Sequence, residues 1–202
     1  MIWPSDRPGG EAAELPDRPA EPRILVPAGS LVLLVGASGS GKSAFAARHF
    51  LPAEVLSSDA YRAMVAGDER DMSATVAAFE MLHLVAARRL AAGRLTVVDA
   101  TNVEPASRRP LVALAREHGS EPLAIVFDLP AALCVERNAA RGDRRVPPRT
   151  VRRQHATLRR WLGGLQGEGL RRVLLLRSAE EVDAATVERE HAPDERHQDG
   201  VQ

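Results

Sequence analysis

The chain is poor in several residue types, and each shortage narrows what it can be. It has one cysteine, Cys134, so no disulfide can form within it, which suits a reducing cytoplasm. A small packed side chain is the expected role of that thiol. Aromatic residues make up only 3% of the sequence against 45% hydrophobic residues overall, so the core must be assembled from Ala, Val and Leu. No apolar run approaches the roughly 18 residues that a membrane span needs. The formal net charge is zero, which argues against a protein that coats nucleic acid by bulk charge and leaves room for a local basic groove. Residues 1–22 are rich in Pro, Glu, Asp and Arg, lack the apolar core of a signal peptide, and read as a disordered lead-in. These absences together point to a cytoplasmic protein.

The scarcest residue type with a clear chemical reading is lysine. Lys42 is the single lysine, and every other Lys-or-Arg position is arginine. A surface cation can be either residue at little cost. A compact ammonium inside a tight phosphate loop is not replaced by a planar guanidinium. The one lysine therefore stands where chemistry resists the arginine bias.

The 202 residues suit one α/β domain. Strand signals at Arg23–Val26, Leu31–Val35, Glu54–Ser57, Leu95–Asp99, Pro122–Phe127 and Arg172–Leu176 alternate with helix signals at Lys42–His49, Asp59–Ala66, Ala74–Ala92, Pro105–His118, Ala131–Arg141 and Thr150–Leu165. A terminal helix is expected over Glu180–Arg189. The alternation predicts parallel β-α-β units over residues 23–189, followed by a polar, disordered tail over 190–202.

Gly36-Ala37-Ser38-Gly39-Ser40-Gly41-Lys42-Ser43 fits G-x-x-x-x-G-K-[ST], with a buried strand before it and a helix after it. Its glycines let backbone N–H groups close around phosphate oxygens, and the helix N-terminus adds its positive end. In such a loop Lys42 reaches the β- and γ-phosphates of ATP and the Ser43 hydroxyl ligates Mg²⁺. Val97-Val98-Asp99 ends an apolar strand on a carboxylate, at the sheet edge where ligands bind in open parallel sheets. Asp99 suits a magnesium-bound water, with a cap on the following turn as the alternative.

Asp59 and Arg62 stand one helical turn apart after the Glu54–Ser57 strand. A kinase needs a carboxylate to take the acceptor proton and a cation to hold the acceptor. The same pair also suits a helix cap with a surface ion pair. Between Arg137 and Arg160 there are nine arginines and one acid, Asp143. Arg137 and Arg141 share a helix face, and Arg144 follows Gly142 in a loop, which is the pattern of a lid that brings guanidinium groups onto a transferring phosphate. Arg152, Arg153, Arg159 and Arg160 fit a solvated helix face better. His83 and His155 carry no expected role, and Trp161 is expected in the core.

Taken together, these motifs resemble those of the kinase module of bacterial polynucleotide kinase-phosphatase, a P-loop polynucleotide 5′-hydroxyl kinase. The resemblance runs from about Arg23 to Arg189. It rests on Gly36–Ser43, on Leu56-Ser57-Ser58-Asp59 with Arg62, on Ser73-Ala74-Thr75, on Leu95-Thr96-Val97-Val98-Asp99-Ala100-Thr101-Asn102, and on Glu136-Arg137-Asn138 with Arg141 and Arg144. Arg145 and Pro147-Pro148 depart from the pattern within the lid. The resemblance implies a P-loop α/β fold with an Arg-rich helical lid, and ATP with Mg²⁺ at Gly36, Ser38, Gly39, Ser40, Gly41, Lys42 and Ser43. It implies Asp59 as general base for the 5′-OH end of RNA or DNA, Arg62 as a holder of that end, and Arg137, Arg141 and Arg144 as lid arginines. In that family the kinase is joined to phosphatase and RNA-ligase-like domains that repair broken RNA, and these 202 residues contain neither. A small-molecule P-loop kinase and a non-catalytic ATP-binding protein share several of these parts.

Overall fold

Two runs without a polar side chain, Leu31–Val35 and Leu123–Phe127, form the middle of a parallel sheet, where a strand is buried on both faces. The computed structural model describes residues 22–142 and 146–190. In chain order these hold β1 (Arg23–Pro27), β2 (Leu31–Gly36), α1 (Lys42–His49), β3 (Val55–Ser57), α2 (Ser58–Ala66) and α3 (Thr75–Ala91). They continue with β4 (Thr96–Asp99), α4 (Pro105–Glu117), β5 (Pro122–Phe127), α5 (Ala131–Ala139), α6 (Pro148–Trp161), β6 (Arg172–Leu176), α7 (Ala179–Ala184) and β7 (Thr186–Glu190). The lead-in and tail expected to be disordered lie outside the described residues, apart from Pro22 and Glu190.

Five strands make one parallel sheet in the order β3-β4-β2-β5-β6. Successive residues of β2 point to opposite faces. Val32 and Leu34 join one core with Phe45 of α1, Cys134 of α5 and Val182 of α7. Leu31, Leu33 and Val35 join the other, with Leu82 and Leu90 of α3 and Leu111 and Ala115 of α4. Cys134 is buried in the first core, as its small apolar character predicts.

α6 belongs to both cores. Val151 in its first turn packs on one face of the sheet, and Leu158, two turns later, packs on the other. The helix therefore crosses above the edge where the strands end.

Three expectations change. The region over Glu180–Arg189 is not one helix. Ser178 caps the short α7 by accepting from the Glu181 N–H at 3.1 Å, and β7 then pairs in parallel with β1 as a separate two-stranded sheet. Backbone pairing with β1 outweighs the helical propensity of this segment, a non-local term that local pattern does not contain. Trp161 is not in the core: α6 ends there, the chain tightens into 3₁₀ turns over Leu162–Glu168, and the indole is left 42% exposed. Arg159 is not merely solvated, because its Nη1 donates to Asp128 Oδ2 at 2.7 Å, and the Asp128 side chain is almost fully buried.

One buried ion pair ties the 3₁₀ segment to the sheet. Arg108 of α4 is fully buried, and its Nε donates to Glu168 Oε2 at 2.7 Å while Nη2 donates to Glu168 Oε1. Its Nη1 donates to the Asn102 carbonyl at 2.6 Å. Removing one partner of such a pair strands a charge in the interior and costs about 3–5 kcal/mol. Glu168→Ala is therefore expected to lower the urea midpoint sharply, whereas the double change Arg108→Met with Glu168→Leu is expected to cost clearly less. Equal losses in the two proteins would show that the pair is not what holds this corner.

Candidate active site

The phosphate loop joins β2 to α1 at the C-terminal edge of the sheet. Gly41 takes φ 99° as the residue before α1, a conformation a side chain would strain. Gly39 takes φ 82°, and an added Cβ there would lie 2.1 Å from the Cys134 carbonyl oxygen of α5. The loop thus lies directly on the α5 backbone. Below it, the Gly36 N–H donates to the Thr101 carbonyl at 2.9 Å, and Asn102 Nδ2 donates to the Leu34 carbonyl at 2.9 Å. Asn102 itself has a left-handed backbone, φ 48°, held by Arg108 from behind. The turn after β4 is therefore a clamp on the strand that carries the loop.

Lys42 is buried and folds over its own loop. Its Nζ donates to the carbonyls of Gly36 and Ala37 at 2.8 Å each, with Ser40 Oγ at 3.4 Å. Burial lowers its pKa to about 8. Asp99 is the strongest opposing charge, Arg141 pushes the same way as burial, and Asp59 also favours the ammonium. Asp99, Asp59 and Arg141 thus all act on one ammonium. Ser43 is exposed in the first turn of α1, directly after Lys42.

β3 and β4 align Ser57 beside Asp99 at their ends, so the start of α2 stands next to the loop. Ser57 Oγ caps α2 by accepting from the Ala60 N–H at 3.4 Å. Arg62 donates to Asp59 Oδ1 through Nη2 and to the Glu69 carbonyl through Nε at 2.8 Å. The Arg62 side chain is only 12% exposed while that of Asp59 is 50% exposed. The pair is thus a half-buried arginine supporting a carboxylate that faces outward, rather than two solvated charges. Asp59 Oδ2 has no protein partner among the described residues.

On the opposite side, Arg137 of α5 brings Nη1 to 3.9 Å from the position of a Gly41 Cβ, and Arg141 follows one turn later. Asn138 pins the returning chain, donating to the Val146 carbonyl at 2.8 Å and accepting from its N–H at 3.2 Å. Arg144 lies outside the described residues, as does Arg145.

Gln154 carries no sequence motif and still touches the loop. The Ser38 N–H donates to its Oε1 at 2.9 Å. Val151, Gln154 and Leu158 share one stripe of α6 at i, i+3 and i+7. A polar residue inside an apolar stripe was the available signal for Gln154. Asn102 ends a run that carries the family resemblance, whereas Arg108 carries no comparable mark.

Because residue 39 has no room for a methyl group, Gly39→Ala is expected to abolish nucleotide binding by titration calorimetry while leaving helix content by circular dichroism near wild type. Retained binding would show that the loop moves off α5 at no cost.

Comparison with known proteins bears on the same stretch of chain. The family model described as an AAA domain matches residues 31–165, well over half of the 202 residues. Among solved structures the chain is similar to one in the Pnkp1/Rnl/Hen1 RNA repair complex, at 26% identity and a TM-score of 0.58 over 71% of its length. It spans 46% of that chain, so about half of the larger protein has no counterpart here. It is also similar to the Mycobacterium tuberculosis APS kinase CysC in complex with AMPPNP and APS, at 22% identity and a TM-score of 0.50, covering 78% of this chain and 93% of that one. A third likeness is to the PezAT toxin-antitoxin system of Streptococcus pneumoniae, at 12% identity and a TM-score of 0.51, covering 73% and 68%. The last two likenesses show the shared fold alone. No helix among the described residues is long and apolar enough to cross a membrane. The family match runs unbroken from the first residue of β2 through the Asp59 edge and all of α6, and the chain therefore belongs to the AAA domain family, with a P-loop kinase-like fold.

Proposed function

We propose that this protein transfers the γ-phosphoryl group of ATP to the 5′-hydroxyl end of RNA or DNA. The observation that carries the transfer reading is the placement of Asp59. Its outward carboxylate stands in the first turn of α2, just past the strand edge beside the loop, and acts on Lys42, with the half-buried Arg62 behind it. The likeness to a chain of an RNA repair complex supports a polynucleotide acceptor and partners in RNA repair, for which phosphatase and ligase domains or proteins are the proposed candidates.

In this reading the loop amides and Lys42 bind the β- and γ-phosphates, exchanging the Gly36 and Ala37 carbonyls for phosphate oxygens. Asp59 accepts the proton of the attacking hydroxyl through Oδ2, the oxygen without a protein partner among the described residues. Arg62 is a positioning residue that holds Oδ1 and so aims Oδ2. Arg137 and Arg141, joined by Arg144 outside the described residues, place positive charge over the phosphoryl oxygens from the α5 side. The site suits Mg²⁺, because the exposed Ser43 hydroxyl directly follows Lys42 and the Asp99 carboxylate acts on the Lys42 ammonium, and Mg²⁺ takes few protein ligands and keeps several waters. When bound there, through Ser43 and a water on Asp99, the ion would neutralise charge developing on the phosphates.

The test is label transfer from γ-labelled ATP to a 5′-OH oligonucleotide with Mg²⁺. Wild type is expected to label it. Asp59→Asn is expected to lower the rate at least ~100-fold, the usual contribution of base catalysis, with ATP binding retained. Absence of labelling, or transfer to a small hydroxyl compound that an excess of oligonucleotide does not inhibit, would overturn the polynucleotide reading.

A further inference from the structure

Two cavities open on the described surface away from the phosphate loop. The first lies at the N-terminal ends of β5 and β6, on the edge opposite the loop, and its Arg171 is paired with Glu121 at 3.2 Å. The second, of about 420 Å³, lies between the start of α4 and the end of α6. Glu104, Pro105, Arg109, Thr157, Arg160 and Trp161 line it.

The second cavity is on the loop side of the sheet. Glu104 and Pro105 follow the turn that leaves β4 just after Asp99. Trp161 is seven residues beyond Gln154, or about 10 Å along α6 from the side chain that touches Ser38. β4 neighbours β3, whose end carries the start of α2 and Asp59. A chain leaving Asp59 and passing over the β4–α4 turn reaches this cavity next.

Its chemistry is a large ring with cations beside it. Burying a full indole would be the ordinary outcome for one of only two tryptophans in a chain with few aromatics, yet Trp161 is 42% exposed at the cavity wall. Arg109 and Arg160 make no ion pair with another described residue, and Glu104 is the one acid in the lining. An exposed ring flanked by free guanidinium groups is the combination that takes a stacked base and its phosphates from a single strand.

We propose that Trp161 stacks on a nucleobase of the acceptor strand a few nucleotides from the 5′ end, with Arg109 and Arg160 on the adjoining phosphates. This site rests on the polynucleotide reading above. It predicts that the enzyme distinguishes long acceptors from short ones at a place remote from the transfer chemistry.

The experiment uses the full chain. With Trp3→Phe as background, Trp161 is the remaining tryptophan. Its fluorescence is expected to be quenched by a 5′-OH octanucleotide and not by ATP or a nucleoside 3′-phosphate. Trp161→Ala is expected to raise the KM ratio of octanucleotide to dinucleotide acceptor roughly 10-fold, the usual size of one lost stack, and Trp161→Phe is expected to restore most of it. If wild type phosphorylates oligonucleotides but shows neither the quench nor the shifted ratio, the stacking site is refuted and the polynucleotide reading stands. If ATP alone quenches Trp161, the cavity belongs to the donor and the proposal is refuted. If oligonucleotides of every length neither quench nor accept phosphate, both readings fall together.

Discussion

No side chain fits between residue 39 and the first half of α5. A Cβ there would meet the Cys134 carbonyl at 2.1 Å and the Asn138 N–H nitrogen at 3.0 Å. This contact sets the distance between the phosphate loop and the helix that carries Arg137. Arg137 can lie over Gly41, and Arg141 can bear on Lys42, only because backbone meets backbone one layer below. The same contact explains a small buried residue at position 134: Cys134 fills the core beneath without pushing α5 away.

The charges around the loop are arranged in opposition. Burial makes the Lys42 ammonium costly, its carbonyl partners and Asp99 offset that cost, and Arg141 adds to it. Phosphate groups entering between Lys42 and Arg141 would relieve a repulsion as well as make new contacts. On the far side, Arg62 donates to Asp59 through Nη2 and to the Glu69 carbonyl through Nε, so its guanidinium braces the start of α2.

Much of this was legible before any coordinates. The apolar runs of β2 and β5, the phosphate loop with its strand and helix, and the Asp59–Arg62 spacing are local patterns, and local patterns survive folding when the core agrees with them. What was not legible depends on partners distant in sequence. β7 exists because β1 offers it an edge, and 160 or so residues separate them. Arg108 looks like any helix arginine until Glu168 arrives from the 3₁₀ segment. Trp161 follows the periodicity of a core position but stands where α6 runs out, so the ring that pattern puts inside is left at the rim. Arg159 reads as a surface charge because Asp128 lies at the end of another strand.

The path of α6 has a consequence for how the molecule loosens. A helix packed on one face of a sheet can detach together with that face. α6 is anchored in both cores through Val151 and Leu158, with Gln154 fastened to the loop between them. Neither layer can open by itself without dragging the helix across the other. The amide hydrogens in the middle of α6 should therefore exchange with solvent only when the whole domain unfolds, although the helix lies at an edge of the sheet. The loop that must admit nucleotide is thus roofed by one of the least yielding segments of the fold, and access to it has to come from the flanks.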